Sequence, residues 1–257
     1  MPTSLGAHNA RIDAARDLLT KKGRKQQERF SFEGATLLQE ACDAGVPIEA
    51  IYATRDAYDR TPLVAQIETG GVPVYLVDER AMHRMSDVDT PTGVLAVAPV
   101  RMRSPGEILG STGVVLLLAD VNDPGNAGTL LRTADAFGVA GVIAGSLGAE
   151  LHLPKVVRSA MGALFRLPLA QAEPEDLRGL LEGWNLTGLE AEGTPLGALE
   201  WGSRVLLAVG NERHGLGRWK PLCERLGSIP MRGKAESLNA AVAGSIALYE
   251  ATKPKAG

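Results

Sequence analysis

Short apolar runs punctuated by glycine, proline and polar clusters run through the chain, and their period shifts between two-fold and helical. Residues 31–42 repeat apolar positions at helical spacing and stop before Gly45, which predicts a helix with a glycine C-terminal cap. Residues 48–53, 72–77 and 93–100 are short, β-branched and flanked by Gly or Pro, so they predict strands, with helices over 62–68 and 79–85 between them. Pro99, Pro105 and Gly106, interspersed with charges, mark a linker. Beyond it, the almost unbroken apolar run 114–119 predicts a parallel strand buried on both faces. Helix-like and strand-like stretches then alternate at 129–137, 142–144, 155–161, 165–169, 175–181, 186–189 and 205–209. That alternation predicts an α/β domain with a largely parallel sheet. In the last helix Leu238, Ala241, Val242, Ser245, Ile246 and Tyr249 share one face, predicting a single apolar stripe. Three segments follow: 1–29, a smaller α/β domain at 30–104, and a larger one at 105–257.

Composition narrows the class. The 257 residues are 45% hydrophobic and 22% charged, as in ordinary globular proteins, and no apolar run approaches the roughly 20 residues of a membrane span. The first 29 residues lack the apolar core of a secretory signal, so a cytoplasmic protein is expected. Cys42, Cys223 and the four histidines, His8, His83, His152 and His214, lack metal-ligand or disulfide spacing; no metal is expected, and surface or capping roles suit all six. The net charge of −3 does not indicate a nucleic-acid binder. Residues 1–29, however, hold seven Lys/Arg against three Asp/Glu, concentrated at Lys21, Lys22, Arg24, Lys25 and Arg29. This cluster suits either a solvated helix face or phosphate contact by a basic arm.

Three segments of the larger domain carry candidate chemistry, each at a predicted strand end, where open α/β sheets bind ligands. The first runs from Asp120 through Asn126 to Arg132 and supplies a turn followed by a helix. Asn126 also suits a helix N-cap, and Arg132 a surface pair with Asp135. The second, Gly210-Asn211-Glu212 followed by Gly215 and Gly217, ends a buried strand in a residue that lets a ligand approach the backbone. The third places Ile229-Pro230-Met231 before Ser237-Leu238-Asn239; Ser237 suits a helix cap, while Asn239 is a poor helix former whose amide needs another purpose. The dinucleotide G-x-G-x-x-G and the phosphate loop G-x-x-x-x-G-K-[ST] are both absent, which counts against a nicotinamide-dependent oxidoreductase.

In type and order, these segments resemble the three signature motifs of the SpoU/TrmH RNA ribose methyltransferases, over residues 113–252. Glu28-Arg29-Phe30-Ser31-Phe32-Glu33-Gly34 is similar to the start of the small substrate domain many members carry. One departure is visible: Ala240-Ala241-Val242 stands where the family commonly has Val-Ser-Val. The resemblance implies a SPOUT-type parallel sheet with a trefoil knot, joined to a smaller N-terminal α/β RNA-binding domain. It implies S-adenosylmethionine held by Gly210, Ile229 and Leu238. Arg132 would be the central catalytic residue, with Asn126, Glu212, Ser237 and Asn239 around it. It also implies 2′-O-methylation of structured RNA by a homodimer, with ribosomal RNA favoured over tRNA. A non-catalytic ribosome-assembly protein would keep the fold but could dispense with Arg132 and the Gly-Asn-Glu sequence, both present here.

Overall fold

The computed structural model describes residues 2–6, 8–233 and 237–254, and the chain divides into two units. One comprises residues 1–100 together with 152–165; the other comprises 101–151 and 166–257.

The first unit contains β1 (Thr3–Ser4), α1 (Ala10–Asp17), α2 (Lys21–Gln27), β2 (Arg29–Glu33), α3 (Ala35–Asp43), β3 (Ala50–Ala53), α4 (Arg55–Arg60), α5 (Pro62–Thr69), β4 (Val74–Leu76), α6 (Glu79–Met85) and β5 (Val94–Pro99). Its sheet order is β1-β4-β3-β5-β2, with β5 antiparallel to both neighbours. The helix predicted over 31–42 is therefore split. Phe30 and Phe32 pair in β2 with Ala98 and Ala96, and Gly34, at φ +100°, turns the chain into α3, a conformation that costs a glycine little. The basic segment is likewise no separate arm. Its α1 sends Ile12 and Ala15 into a core with Leu18, Tyr52, Met82 and Met85, and Thr20 caps α2 by accepting from the Gly23 amide.

The second unit begins with α7 (Pro105–Leu109), β6 (Gly113–Ala119), α8 (Pro124–Ala136) and β7 (Gly141–Gly145). The chain then supplies α9 (Pro154–Ala160) and most of α10 (Ala163–Arg166) to the first unit, where Phe165 lies 5.0 Å from Phe32 and His152 lies 4.7 Å from Phe30 between ring centroids. His152 is thus a buried packing residue, against the surface or capping role expected of it. A single cut at 104/105 overlooks this excursion.

The second unit resumes with β8 (Leu169–Ala172), α11 (Pro174–Leu177), β9 (Asn185–Pro195), β10 (Arg204–Gly210), β11 (Arg225–Ser228) and α12 (Ala240–Thr252). All six strands are parallel, in the order β11-β9-β10-β6-β7-β8. The central pair β6 and β10 runs in register from Gly113↔Arg204 to Ala119↔Gly210, so both strands release their chains at the same sheet edge. Both are buried almost throughout, as the unbroken apolar run implies. α12 packs on α8 and β10 through Ala241, Gly244 and Leu248, and a side chain at Gly244 would overlap Leu130 and Val209. The one-sided stripe predicted for α12 is divided: Val242, Ile246 and Tyr249 lie on its exposed side. Among the described residues no helix is long and apolar enough to cross a membrane.

Candidate active site

Where β6 ends, Asp120 adopts φ +56°, rare for a residue with a side chain. It accepts from Arg218 Nε (2.8 Å), from Trp219 Nε1 (2.9 Å) and from the Leu147 amide (3.2 Å). Gly145 leaves the room: a Cβ there would overlap the carboxylate. Burial opposes ionisation of Asp120, but Arg218 and Trp219 outweigh it and hold the group below its ordinary range. Arg218 also pairs with Glu173. The segment after β10 is thereby tied to the end of β6.

The turn continues through Asp123, whose Oδ1 accepts from the Asn126 amide at 2.8 Å and caps α8; Pro124 fills the first helical position. Asn126 is therefore not the cap that its position allowed, and its side chain is available for other partners. Its Nδ2 donates to Glu212 Oε1 (2.8 Å) and its Oδ1 accepts from Asn239 Nδ2 (3.0 Å). Glu212 also accepts from the backbone amides of Asn122 (3.2 Å) and Asp123 (3.3 Å). Asn239 is the true cap of α12, its Oδ1 accepting from the Ala241 and Val242 amides, so Ser237 does not hold that role. That network fixes every orientation. A carboxylate only accepts, so Asn126 must face it with nitrogen; Asn126 oxygen then requires the nitrogen of Asn239, which leaves the oxygen of Asn239 for the helix.

Glu212 stays ionised. Burial raises its pKa, but Asn126 and the backbone amides overcome this and place it below its ordinary value. With three donors on a group that has about four acceptor positions, it is an orienting residue and a weak proton acceptor.

Asn211 closes its own loop. Its amide donates to the Gly215 carbonyl (2.7 Å), the Gly215 amide returns to the Asn211 carbonyl (3.0 Å), and its Oδ1 accepts from the amides of Arg213 (2.9 Å) and His214 (3.2 Å). Its Nδ2 donates to the Asp120 carbonyl at 2.8 Å. This ring explains Gly210 differently from the sequence expectation: a Cβ there would overlap the Gly215 backbone, so the glycine is required by the loop before any ligand is considered.

Behind the network lies a cavity of about 450 Å³, within the ordinary range of small-molecule sites. β9 contributes Leu189 and Glu190, β10 Val209 and Gly210, and β11 Gly227; the loop contributes Asn211, Glu212 and Gly215, and Ile229, Met231 and the stretch from Ser237 to Ala240 also line it. Gly210, Ile229 and Leu238, the three expected cofactor residues, share this wall with Glu212, Ser237 and Asn239. Arg132 lies on the exposed side of α8, opposite the buried Leu130 and Leu131. Its anticipated partner Asp135 instead binds Arg166, at 2.7 Å, and among the described residues the Arg132 guanidinium has no hydrogen-bond or ion-pair partner. Of the basic cluster, Lys21, Lys22 and Lys25 are exposed. Arg24 is buried and donates to the Leu18 carbonyl (2.7 Å), and Arg29 pairs with Glu49, so these two do not offer free cations. Sequence reasoning assigned no role to Asp120 or Asn211; both lay within the quoted segments, but only their position between two strand ends reveals what they hold.

Residues 113–249, more than half of the chain, match the SpoU rRNA methylase family. The chain belongs to that family. Residues 9–96 match the MRM3-like substrate binding domain, a match that includes both helices of the basic segment. The SpoU chain is 32% identical over 252 residues to the 23S rRNA (guanosine(2553)-2′-O)-methyltransferase RlmP of Bacillus subtilis, covering 95% of this chain and 96% of that one. Its structure resembles the SpoU methyltransferase AviRb of Streptomyces viridochromogenes in complex with AdoMet, with a TM-score of 0.86, 28% identity, and coverage of 95% and 97%. An AdoMet-bound rRNA methyltransferase from Sinorhizobium meliloti is equally similar, with a TM-score of 0.87, 28% identity and 97% coverage of both chains.

Proposed function

We propose that this SpoU protein is a cytoplasmic enzyme that methylates a ribose 2′-hydroxyl of 23S ribosomal RNA, using S-adenosylmethionine bound in the cavity behind Glu212. The observation that carries the reading is the Glu212–Asn126–Asn239 network, which joins all three motifs and places Glu212 and Asn239 on the wall of one cavity. The cavity suits the cofactor chemically: Leu189, Val209, Ile229 and Leu238 provide an apolar surface for a nucleoside base, and Glu190 and the strand-end backbone provide acceptors for its polar groups. When bound, the sulfonium supplies an electrophilic methyl group.

The protein's own task is to place the ribose and manage charge. A guanidinium is a donor with no acceptor, so Arg132 is no general base. Exposed and without a partner among the described residues, it clamps an RNA phosphate and stabilises negative charge developing on the 2′-oxygen. Glu212, committed to three donors, holds the turn and the loop in place, while Asn239 ties the start of α12 to Asn126 and lines the cavity with Ser237. The 2′-proton leaves to the substrate's phosphate or to water. The first unit holds the RNA, with Lys21, Lys22 and Lys25 contributing phosphate contacts. The exposed side of α12 joins two copies into a homodimer.

The test is incubation with labelled S-adenosylmethionine and unmodified ribosomal RNA, followed by mapping of alkali-resistant linkages. A single labelled site in 23S RNA is expected; label confined to tRNA would move the substrate, and no transfer to either would defeat the reading. Arg132→Ala and Arg132→Lys should keep the fold and cofactor affinity but lose most turnover, because a point charge does not reproduce the forked donor. Near-normal transfer by Arg132→Lys would reduce the clamp to a general positive charge.

A further inference from the structure

The loop from Asn211 to Gly215 has two sides. Asn211, Glu212 and Gly215 line the cavity, whereas Arg213 and His214, between them in sequence, do not. Both are exposed, and among the described residues neither side chain has a hydrogen-bond or ion-pair partner. Their backbone is not free: both amides are held by Asn211 Oδ1, the loop is closed by the paired Asn211 and Gly215 hydrogen bonds, and Glu212 fastens it to the turn before α8. Two unpaired side chains therefore project from a backbone that is already ordered.

Such an arrangement lowers the cost of recognition, since the backbone ordering is complete before binding. A methyl group transferred from the cavity must meet its acceptor beside the lining, and this loop supplies Asn211, Glu212 and Gly215 to that lining. Glu212 and Asp123 keep their charge nearby but are turned inward, Glu212 to Asn126 and the Asn122 and Asp123 amides and Asp123 to the start of α8. Arg132, also without a partner among the described residues, stands six residues along α8 from Asn126, roughly 9 Å at the helical rise.

On the proposed function, we infer that Arg213 binds a backbone phosphate of the RNA next to the methylated nucleotide, and that His214 beside it hydrogen-bonds the adjoining sugar or base. Arg213 and Arg132 then grip the backbone from the loop and from α8, so the target ribose is held by two arginines rather than one. The forked guanidinium suits a phosphate, and the ring nitrogens of a histidine suit the polar groups of a sugar or base.

The experiment measures binding of in vitro transcribed, unmodified 23S ribosomal RNA at several salt concentrations, with S-adenosylmethionine affinity measured separately by calorimetry. Arg213→Ala should weaken RNA binding about tenfold and reduce the slope of log affinity against log salt by about one. Arg213→Lys should restore the slope, and His214→Ala should weaken binding. Cofactor affinity should match wild type in all three. Wild-type RNA affinity and slope in Arg213→Ala would overturn the assignment, as would loss of cofactor affinity, which would give Arg213 a role in the cavity instead. If the wild-type protein neither binds nor methylates the RNA, the functional reading itself fails; if it does both while Arg213→Ala binds equally well, only this inference fails.

Discussion

Asn239 serves α12 with its oxygen and Asn126 with its nitrogen, and the two tasks can be separated by substitution. Asn239→Asp keeps an oxygen for the Ala241 and Val242 amides but offers nothing to donate to Asn126, whose own nitrogen is committed to Glu212. Stability should stay near wild type while methyl transfer falls. Asn239→Ala loses the cap as well, at about 1 kcal/mol. Thermal denaturation beside transfer assays would check the pair; equal destabilisation by both would mean that the cap alone matters. Arg24 poses the complementary case among the basic residues. Buried on α2 with the Leu18 carbonyl as acceptor, it should cost about 1–3 kcal/mol when replaced by Ala. The triple change of Lys21, Lys22 and Lys25 to Ala should instead leave the melting temperature alone and weaken RNA binding.

Elements rather than single residues decide the response to acid, because the turn after β6 and the loop after β10 are tied through carboxylates. Glu212 and Asp120 both have pKa values depressed in the folded protein: burial works against this, and Asn126 with the backbone amides, or Arg218 with Trp219, prevails. Their contribution is complete above the ordinary values of 4.5 and 3.8 and is lost as pH falls through the lower folded ones. Glu212→Gln should therefore flatten the loss of thermal stability below about pH 4.5, relative to wild type. An unchanged profile would show that the carboxylate does not hold the two strand ends together. Much at this scale was readable beforehand. The run 114–119 is β6, the run 205–209 lies in β10, and the motif residues sit at strand ends because apolar strands and glycine turns declare themselves locally. What escaped depends on partners distant in sequence. β2 was absorbed into a helix because residues 31–42 carry an apolar spacing that fits either structure until β5 pairs with it. β11 was missed because Arg225–Ser228 has too few apolar residues to announce a strand and takes its place from β9. The cap of α12 was assigned to Ser237 because the tie from Asn126, more than a hundred residues away, is invisible to any local rule.

At the scale of the molecule, the unresolved surface is the outer side of α12. A helix that is apolar all round belongs in an interior, and α12 is apolar on both sides: Ala241, Gly244 and Leu248 face α8 and β10, while Val242, Ile246 and Tyr249 remain 48%, 38% and 54% exposed. Phe137, at the end of α8, extends the patch, its ring 5.9 Å from that of Tyr249. Contiguous exposed aromatic and branched side chains of this kind mark association surfaces, and a patch on one helix that meets its own copy across a two-fold axis is closed and self-complementary. The same helix begins at Asn239 and Ala240, on the cavity wall, so covering its outer side also steadies the site. The wild-type protein is therefore expected to sediment as a dimer, and Ile246→Glu, which places two like charges near the axis, as a monomer. Ile246 projects away from the intrachain core, so the monomer should remain folded, with weaker cofactor binding because α12 has lost its outer support. A wild-type protein that sediments as a monomer at concentrations where it is fully active would defeat the dimer reading. An Ile246→Glu variant that stays dimeric would move the interface elsewhere on the surface.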